Sequence, residues 1–401
     1  NAYDSVQSLP YQSRIHNVKL LMSVGGWTLS DNFPAIAADP SLRTAFAGSC
    51  IQLVDMYHFD GVDIDWEYPG FTDHQGTPND RANYILLLQE LRDSLTAYGQ
   101  RSNKTCLLTA ALPAGPPHMP NIDWTALSSI LDIMNIMTYD FFGSWDSQAN
   151  HNSPLYATGV GDPAFNCDSA IQRILHQYNV PANKITMGVP FYGHASITNG
   201  GAALYGPLTG QADNITFPED DGSPLYYNIV SRMNMYTNNF DSQAKVPYLT
   251  GINSLNSFVS YDDTLSVAYK AQYILDNNLR GAIVWEISGD VMETFPGSGV
   301  ISGSPLAQSL NTTLCNGMVN IGNVNSGTTF SVSPNPAHDK LTVFLNSFDQ
   351  NKTMERAFNL MQKLGASMII AGVFVAQFTF VVDGGERALI MDATKGLRPG
   401  V

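Results

Sequence analysis

The chain alternates short, almost continuous apolar runs with longer stretches of helical character. The strand-length runs are 18–22, 61–65, 107–112, 133–139, 185–191 and 281–287. Two of the stretches between them, 84–96 and 265–277, carry apolar residues at helical spacing. Strands without polar alternation are covered on both faces, as in the parallel sheets of α/β proteins. The pattern therefore predicts an α/β fold of the (β/α)8 TIM-barrel type, with a doubly wound open sheet as the alternative.

The charge balance argues against a polyanionic partner. The chain has 35 acidic and 20 basic residues, for a formal net charge of −15. Because binding to nucleic acid needs a basic surface, we expect no nucleic-acid partner. The four cysteines are widely scattered, and the HExxH motif is absent. We interpret His74, His118 and His194 as ordinary polar positions, and the sequence predicts neither a metal nor a cofactor.

One connection is far too long to join a strand directly to its helix. Residues 194–256, between the fifth and the last apolar run, are rich in Gly, Asn and Asp and contain short Tyr-bearing segments. An excursion of this length is usually functional or forms a subdomain. We interpret it as a small α+β insertion that builds one wall of a cleft.

The second apolar run carries a set of three carboxylic acids. Within DGVDIDWEYP, residues 60–69, Asp63, Asp65 and Glu67 occupy alternate positions, so on a strand all three point to one face. The apolar residues between them are predicted to face the helices: Val62, Ile64 and Trp66. Close like charges disfavour full ionisation, so one carboxyl group is expected to stay protonated, as a general acid requires. A calcium site or a solvated acidic strand is the alternative, but calcium ligands are spread over a glycine-containing loop and not over an apolar strand.

These residues resemble the motifs of family 18 glycoside hydrolases, the chitinases. The segment DGVDIDWEYP is similar to the DxxDxDxE signature of the family, and SVGGW at 23–27 is similar to its SxGG motif. The segment MTYD at 137–140 corresponds to MxYD. Later landmarks follow in the family's order at 187–193, 260–263 and 285–290. The resemblance covers residues 18–290 and implies a barrel that cleaves chitin or chito-oligosaccharides.

The resemblance also implies catalytic roles. Glu67 would protonate the glycosidic oxygen, and the nucleophile would be the N-acetyl carbonyl of the substrate itself. Asp65 would accept a hydrogen bond from the acetamido N–H and stabilise the oxazolinium intermediate. Asp63 would lie beneath Asp65 and share a proton with it. Tyr139 would donate its hydroxyl to the acetamido carbonyl.

The substrate-binding residues that the resemblance implies are Asp140, Trp285, Tyr68, Met137, Trp145 and Tyr192. Asp140 would contact the sugar whose acetamido group takes part in the reaction, and Trp285 would form the apolar floor beneath that sugar. Two further hypotheses stay open. The first is an endo-β-N-acetylglucosaminidase acting on N-glycans, and the second is a non-catalytic, chitin-binding remnant of a barrel. Glu67 argues against the second, because chitin-binding lectins of this kind usually lack its equivalent.

The position of the SxGG motif implies an incomplete barrel. This motif lies on the third strand of the family barrel, yet here its strand begins about 18 residues into the chain. We therefore expect a (β/α)8 barrel lacking its first two strands, from an N-terminally truncated sequence. An open barrel leaves unpaired strand edges, so a native six-stranded enzyme is the less favourable alternative.

The last part of the chain has a different character, and we expect the barrel with its insertion to end at 310. Residues 311–353 are predicted to be a linker and a β-rich segment, in which SPNPAHDKLTV at 333–343 resembles the start of a type IX sorting domain. Residues 354–401 form an unrelated tail. Its uncharged run at 364–382 predicts a membrane anchor, with a buried strand-helix unit as the alternative. Residues 381–397 resemble the start of a prohibitin domain.

This arrangement leads us to expect a catalytic part outside the cell, with a tail that is anchored in a membrane. A fusion of chitinase-like and prohibitin-like segments has no evident physical logic. A chimeric gene sequence is therefore the simpler interpretation of the tail.

Overall fold

The computed structural model describes residues 8–295 and 297–316, together with the backbone of 376–379. Its strands are β1 Leu21–Gly25, β2 Gly61–Asp65, β3 Leu107–Pro113, β4 Ile133–Met137, β5 Ile185–Pro190, β6 His194–Thr198, β7 Leu208–Ala212, β8 Tyr236–Asp241, β9 Val246–Gly251, β10 Ser257–Ser260, β11 Gly281–Trp285, β12 Met292–Glu293, β13 Ile301–Gly303 and β14 Ala376–Thr379. Its α-helices are α1 Leu9–Ile15, α2 Phe33–Ala38, α3 Pro40–Tyr57, α4 Asp80–Ser102, α5 Trp124–Ile130, α6 Cys167–Gln172, α7 Tyr226–Ser231, α8 Thr264–Asp276 and α9 Pro305–Asn316.

The main sheet contains β1, β2, β3, β4, β5 and β11, paired in parallel in that order. Apart from the first residue of β3 and the last of β11, every residue of these strands is buried. Burial on both faces is expected of barrel strands, which are covered by helices outside and face other strands inside. The predicted (β/α)8-type fold is confirmed, with six parallel strands among the described residues and one antiparallel strand, β14, at the edge of the same sheet.

Helices cover the outer face of the sheet, as predicted from the apolar residues between the three carboxylic acids. Val62, Ile64 and Trp66 are each at most 1% exposed and belong to the core. The indole of Trp66 stacks on Phe33, with 5.4 Å between ring centroids, and meets Tyr84 of α4 edge-on at 5.2 Å. The opposite face of β2, which carries Asp63 and Asp65, therefore points into the barrel interior.

The outer edge of β1 is paired with a short strand from the far end of the chain. β14 runs antiparallel to β1, with Leu21 opposite Thr379 and Val24 opposite Ala376. This strand lies inside the run 364–382, for which a membrane anchor was predicted. That prediction is wrong for this part of the run, since a strand paired to the sheet edge is not part of a membrane-spanning helix.

Among the residues that the structure describes, no helix combines the length and apolar character needed to cross a bilayer. The sorting-domain-like segment at 333–343 and the prohibitin-like segment at 381–397 lie outside the described residues. Helix α9 continues past residue 310, where a linker was predicted to begin, because Leu310 and Thr313 are buried. The remainder of that predicted linker also lies outside the described residues.

The long excursion after β5 forms a second, antiparallel sheet. Its strands are ordered β7–β6–β10–β9–β8, and α7 lies between β7 and β8 in the chain. The sheet begins at His194 and extends to Ser260, four residues beyond the range that the sequence indicated. Only three residues separate Pro190 of β5 from His194. The insertion therefore starts at the carboxyl end of a barrel strand.

A buried ion pair joins the end of this second sheet to the barrel. Lys270 of α8 is 0% exposed, and its Nζ donates to Asp262 Oδ2 and to Ser153 Oγ, each at 2.6 Å. Asp262 also accepts a hydrogen bond from Ser266 at 2.7 Å. Ser153 in turn donates to the carbonyl oxygen of Thr138 at 2.6 Å. The network thus connects α8, the end of β10 and the segment after β4.

Removing the ammonium group from this network should destabilise the fold strongly. We expect Lys270→Met to lower the free energy of unfolding by about 3–5 kcal/mol, because it leaves the buried Asp262 carboxylate without its counter-ion. Chemical denaturation measures the change. Lys104→Met, at an exposed position after α4, is the matched control and should change stability by less than about 0.5 kcal/mol. A Lys270→Met protein as stable as this control would contradict the interpretation.

Candidate active site

The three predicted carboxylic acids lie along β2 and just beyond its carboxyl end. Asp63 and Asp65 are 1% and 6% exposed, whereas Glu67 is half-buried. In (β/α)8 barrels, chemistry is located at the carboxyl ends of the strands. The burial gradient therefore runs from the barrel interior at Asp63 to the open end at Glu67.

The side chain of Asp63 is held by donors from three neighbouring strands. Ser23 Oγ of β1 donates to Oδ2 at 2.8 Å, and Asn135 Nδ2 of β4 donates to Oδ1 at 3.1 Å. Thr109 Oγ1 of β3 donates to Oδ1 as well. Asn135 is itself oriented by Thr186 Oγ1 of β5, which donates to its Oδ1 at 2.7 Å. A buried carboxylate is stable only with such partners.

The backbone at Glu67 is held on both sides. Its N–H donates to Ser30 Oγ at 2.9 Å, and Nδ1 of His74 lies 2.7 Å from its carbonyl oxygen. Ser30 is anchored by donating to the carbonyl oxygen of Gly26 at 2.9 Å. The peptide bond between Glu67 and Tyr68 is cis. The hydrogen bonds at the N–H and the carbonyl oxygen of Glu67 hold its backbone in place, and with it the Cα from which the side chain extends.

Aromatic and apolar residues from β3, β4 and β11, and from the segments that follow β2, β4 and β5, gather next to the carboxylates. The cluster consists of Ala111, Met137, Tyr139 and Tyr192, with Tyr68, Leu225 and Trp285 packed against it. Five residues that the sequence singled out, Tyr68, Met137, Tyr139, Tyr192 and Trp285, thus lie together. Tyr139 and Tyr192 meet edge-on, with 6.1 Å between ring centroids.

The phenols of this cluster are held in their neutral form. Burial raises the pKa of Tyr139 well above its usual value, and the nearby charges of Asp65, Asp140 and Glu67 raise it further. Burial likewise raises the pKa of Tyr68, with the adjacent Glu67 charge acting in the same direction. A neutral phenol can donate a hydrogen bond, so Tyr139 is suited to polarise a carbonyl group.

Asp140 follows β4 in a left-handed conformation, with φ of +57°. Its backbone N–H donates to Asn152 Oδ1 at 2.7 Å. Its Oδ1 accepts the hydroxyl of Tyr192 at 2.6 Å and lies 2.7 Å from Nε2 of His194. Trp145 lies edge-on against the His194 ring at 5.0 Å and is 59% exposed. Trp145 therefore lies at the exposed rim of the candidate site.

Several residues of this region were missed or undervalued in the sequence. The interpretation of His74, His118 and His194 as ordinary polar positions was incomplete, because each contacts the candidate site. His118 stacks on Tyr68, with 4.4 Å between ring centroids, and its burial lowers its pKa. Trp27 is 54% exposed and lies 4.5 Å from the His74 ring. The available signal for Trp27 was its place at the end of the SVGGW motif. That its side chain is exposed could be learned only from the structure.

Comparison with known proteins agrees with this geometry. Residues 1–290 match the family described as glycosyl hydrolases family 18. The chain belongs to glycosyl hydrolase family 18. Chitinase A1 of Niallia circulans is 40% identical over 293 residues, which are 69% of this chain and 41% of that protein. The chain thus spans less than half the length of this relative.

Two solved chitinase structures are similar to this chain in fold. Chitinase ChiA74 from Bacillus thuringiensis matches with a TM-score of 0.70 at 34% identity, covering 79% of this chain and 53% of that one. A mutant of the second catalytic domain of the Ostrinia furnacalis Group II chitinase, solved with (NAG)5, matches with a TM-score of 0.68 at 27% identity. That match covers 78% of this chain and 81% of that one.

The segment after β4, which carries Asp140 and Trp145, is fastened to the insertion by a second buried pair. His151 is 0% exposed, and its Nε2 lies 3.1 Å from Asp241 Oδ2 at the end of β8. Oδ1 of Asp241 accepts the backbone N–H groups of Gln243 and Ala244 at 2.9 and 3.1 Å. The hydrogen bond from His151, with help from these amides, lowers the pKa of Asp241 to about 2.

This shift makes the stabilisation by Asp241 depend on pH. The folded pKa lies below the usual 3.8, so the ionised carboxylate stabilises the fold above pH 4, and the contribution is lost as pH falls toward 2. We expect Asp241→Asn to lower the free energy of unfolding by up to about 2 kcal/mol at pH 6. Near pH 2 the stability of the variant should approach that of the unaltered protein. Denaturation curves across this range measure the difference. A constant difference at all pH values would contradict the assignment.

Proposed function

We propose that this chain hydrolyses β-1,4 linkages between N-acetylglucosamine units in chitin or chito-oligosaccharides, with Glu67 as the general acid. The observation that carries the proposal is the placement of Glu67 at the open end of β2, in line with the buried Asp65 and Asp63 and next to Tyr139. The chitinase relatives and the (NAG)5 complex of a structural neighbour support the same substrate class.

The proposed reaction is substrate-assisted and retains the anomeric configuration. The carbonyl oxygen of the substrate's own acetamido group attacks the anomeric carbon while the bond to the leaving sugar breaks. Glu67 gives its proton to the departing oxygen. Water then attacks the anomeric carbon of the oxazolinium intermediate, and the Glu67 carboxylate accepts a proton from it.

Asp65 and Tyr139 orient the acetamido group in this proposal. Asp65 accepts its N–H, which aims the carbonyl oxygen at the anomeric carbon and stabilises the positive charge of the intermediate. The neutral Tyr139 donates its hydroxyl to the carbonyl oxygen. Hydrogen bonds to a carboxylate favour its ionised form, and Asp63 accepts three of them. Asp63 and Asp65 then titrate as a pair.

The remaining candidate residues bind the sugar chain. The indole of Trp285 gives the reacting sugar an apolar floor, flanked by Tyr68, Met137 and Tyr192. Asp140 contacts the polar edge of the same sugar, and Trp145 extends the binding surface at the rim. Because chitin is an insoluble polymer, we also propose that the catalytic part acts outside the cell.

The general-acid assignment predicts a large loss of activity from one substitution. We expect Glu67→Gln to lower kcat on chitopentaose by about 10²–10⁴-fold, since the amide cannot supply the proton. Glu90→Gln, on the outer helix α4, is the matched control and should keep the activity of the unaltered chain. A Glu67→Gln protein with more than about a tenth of normal kcat would reject Glu67 as the acid.

The substrate-assisted mechanism predicts strict dependence on the acetamido group. We expect chitopentaose to be cleaved and to release the β-anomer first, because two inversions at one carbon give net retention. Its fully deacetylated analogue and cellopentaose should stay intact, since they lack the internal nucleophile. Product analysis by nuclear magnetic resonance measures both outcomes. Cleavage of cellopentaose at a comparable rate would exclude this mechanism, and cleavage of an N-glycan core in preference to chitopentaose would favour the endo-β-N-acetylglucosaminidase alternative.

A further inference from the structure

Tyr139 lies two residues beyond the last residue of β4 and outside the pairing of the main sheet. The residue that follows it, Asp140, has a left-handed backbone with φ of +57°. This conformation costs free energy in any residue other than glycine, so contacts outside the sheet are needed to keep it. The position of the Tyr139 ring therefore depends on the segment that packs against 138–140.

Asn152 and Ser153 contact the backbone on both sides of Tyr139. Ser153 Oγ donates to the carbonyl oxygen of Thr138 at 2.6 Å. Asn152 Oδ1 accepts the backbone N–H of Asp140 at 2.7 Å. The first of these backbone groups belongs to the peptide bond that precedes Tyr139, and the second belongs to the peptide bond that follows it. One dipeptide thus holds both peptide planes of a single residue.

Both residues of this dipeptide are buried and are held by distant segments. Asn152 is 1% exposed and Ser153 is 2% exposed. The backbone N–H of Asn152 donates to Ser260 Oγ at the end of β10, at 2.7 Å. Lys270 Nζ of α8 donates to Ser153 Oγ at 2.6 Å. Since an ammonium group only donates, the proton of the Ser153 hydroxyl is directed to the carbonyl oxygen of Thr138.

The ring of Tyr139 also contacts Gly188 of β5. A Cβ atom at Gly188 would lie 2.8 Å from Cε1 of Tyr139 and 2.7 Å from the backbone nitrogen of Thr138. Thr138 Oγ1 donates to the carbonyl oxygen of Gly188 at 2.8 Å. The ring therefore lies directly against the backbone of β5, and a larger residue at 188 would displace it.

We propose that Asn152 and Ser153 are positioning residues that hold the Tyr139 hydroxyl where it meets the acetamido carbonyl of the substrate. The inference rests on the proposed function, in which Tyr139 donates to that carbonyl oxygen. Both residues are buried, so they act through the backbone of Tyr139 and not on the sugar. The expected effect on the reaction is large, because a misplacement of about 1 Å at a reacting group can lower a rate by about 10²-fold.

A purely structural role for the dipeptide makes a different prediction. Ser153 accepts from Lys270, which is also paired with Asp262, so loss of the Ser153 hydroxyl is expected to lower stability as well. A loss of folded protein lowers activity by the same factor whether or not Tyr139 carries its hydroxyl. A loss of positioning lowers activity only while that hydroxyl is present.

A double-mutant cycle in the full chain separates the two roles. The kcat and KM for chitopentaose are measured for Ser153→Ala in the unaltered chain and in a Tyr139→Phe background. In the unaltered chain we expect kcat to fall by about 10-fold to 100-fold, with KM changed by less than about threefold. In the Tyr139→Phe background we expect Ser153→Ala to lower kcat by less than about twofold.

Ser13→Ala is the matched control. Ser13 is buried in α1, and its Oγ likewise donates to a backbone carbonyl oxygen, that of Pro10, at 3.0 Å. This substitution should leave kcat unchanged in both backgrounds. Chemical denaturation of every variant gives the folded fraction by which each kcat is corrected.

Asn152→Ala is the second variant, and it serves where Ser153→Ala does not fold. It removes the acceptor for the Asp140 N–H and keeps the backbone N–H that donates to Ser260. We expect kcat to fall by a similar factor, again only while the Tyr139 hydroxyl is present. Its effect through Asp140, which binds the sugar in the proposed function, should appear as a rise in KM in both backgrounds.

Equal kcat ratios in the two backgrounds, for whichever variant folds, would overturn the proposal and leave the dipeptide a structural role. A folded, unaltered chain that does not cleave chitopentaose would reject the proposed function and this inference with it. Turnover by the unaltered chain together with equal ratios would reject only the role of Asn152 and Ser153.

Discussion

The burial of Asp63 is the constraint on which the rest of the site depends. A carboxylate that is 1% exposed inside a barrel is stable only if its oxygens are hydrogen-bonded. The donors come from β1, β3 and β4, through Ser23, Thr109 and Asn135. Because each strand contributes one side chain at one height, four adjacent strands must keep their register for this layer to form. A slip of one residue would turn every donor toward the helices.

The rigid layer at Asp63 determines where the reactive groups lie. Asp65 follows two residues after Asp63 on the same face of β2, so its position along the barrel axis is set by the strand repeat, and Glu67 lies two residues beyond the end of the strand. Beyond the strand, Ser30 and His74 hold the backbone of Glu67. The barrel thus sets how deep the Glu67 carboxyl group lies and which way it points. The surrounding segments form the walls against which a sugar would bind.

Those walls depend on a second set of buried polar contacts. The segment after β4 carries Asp140 and Trp145 and is fastened at several points to the insertion and to α8. The pair of His151 and Asp241 is one, and the bond from Lys270 to Ser153 is another. The backbone N–H of Asn152 also donates to Ser260 Oγ of β10, at 2.7 Å. Such contacts join residues about a hundred positions apart, and they explain how a glycine-rich insertion can hold a defined wall.

The sequence by itself determined the parallel sheet, the inward face of Asp63, Asp65 and Glu67, and the outward face of Trp66, because backbone periodicity is a local property that neighbouring residues reveal. Only the tertiary structure decided the partners of Asp63, the contacts of His74 and His194, and the pairing of Ala376–Thr379 with β1. It also showed that α9 continues past residue 310, where Leu310 and Thr313 are buried. These features depend on hydrogen bonds and packing between segments far apart in the chain. No local pattern encodes such contacts, since they arise only when the strands are brought into register.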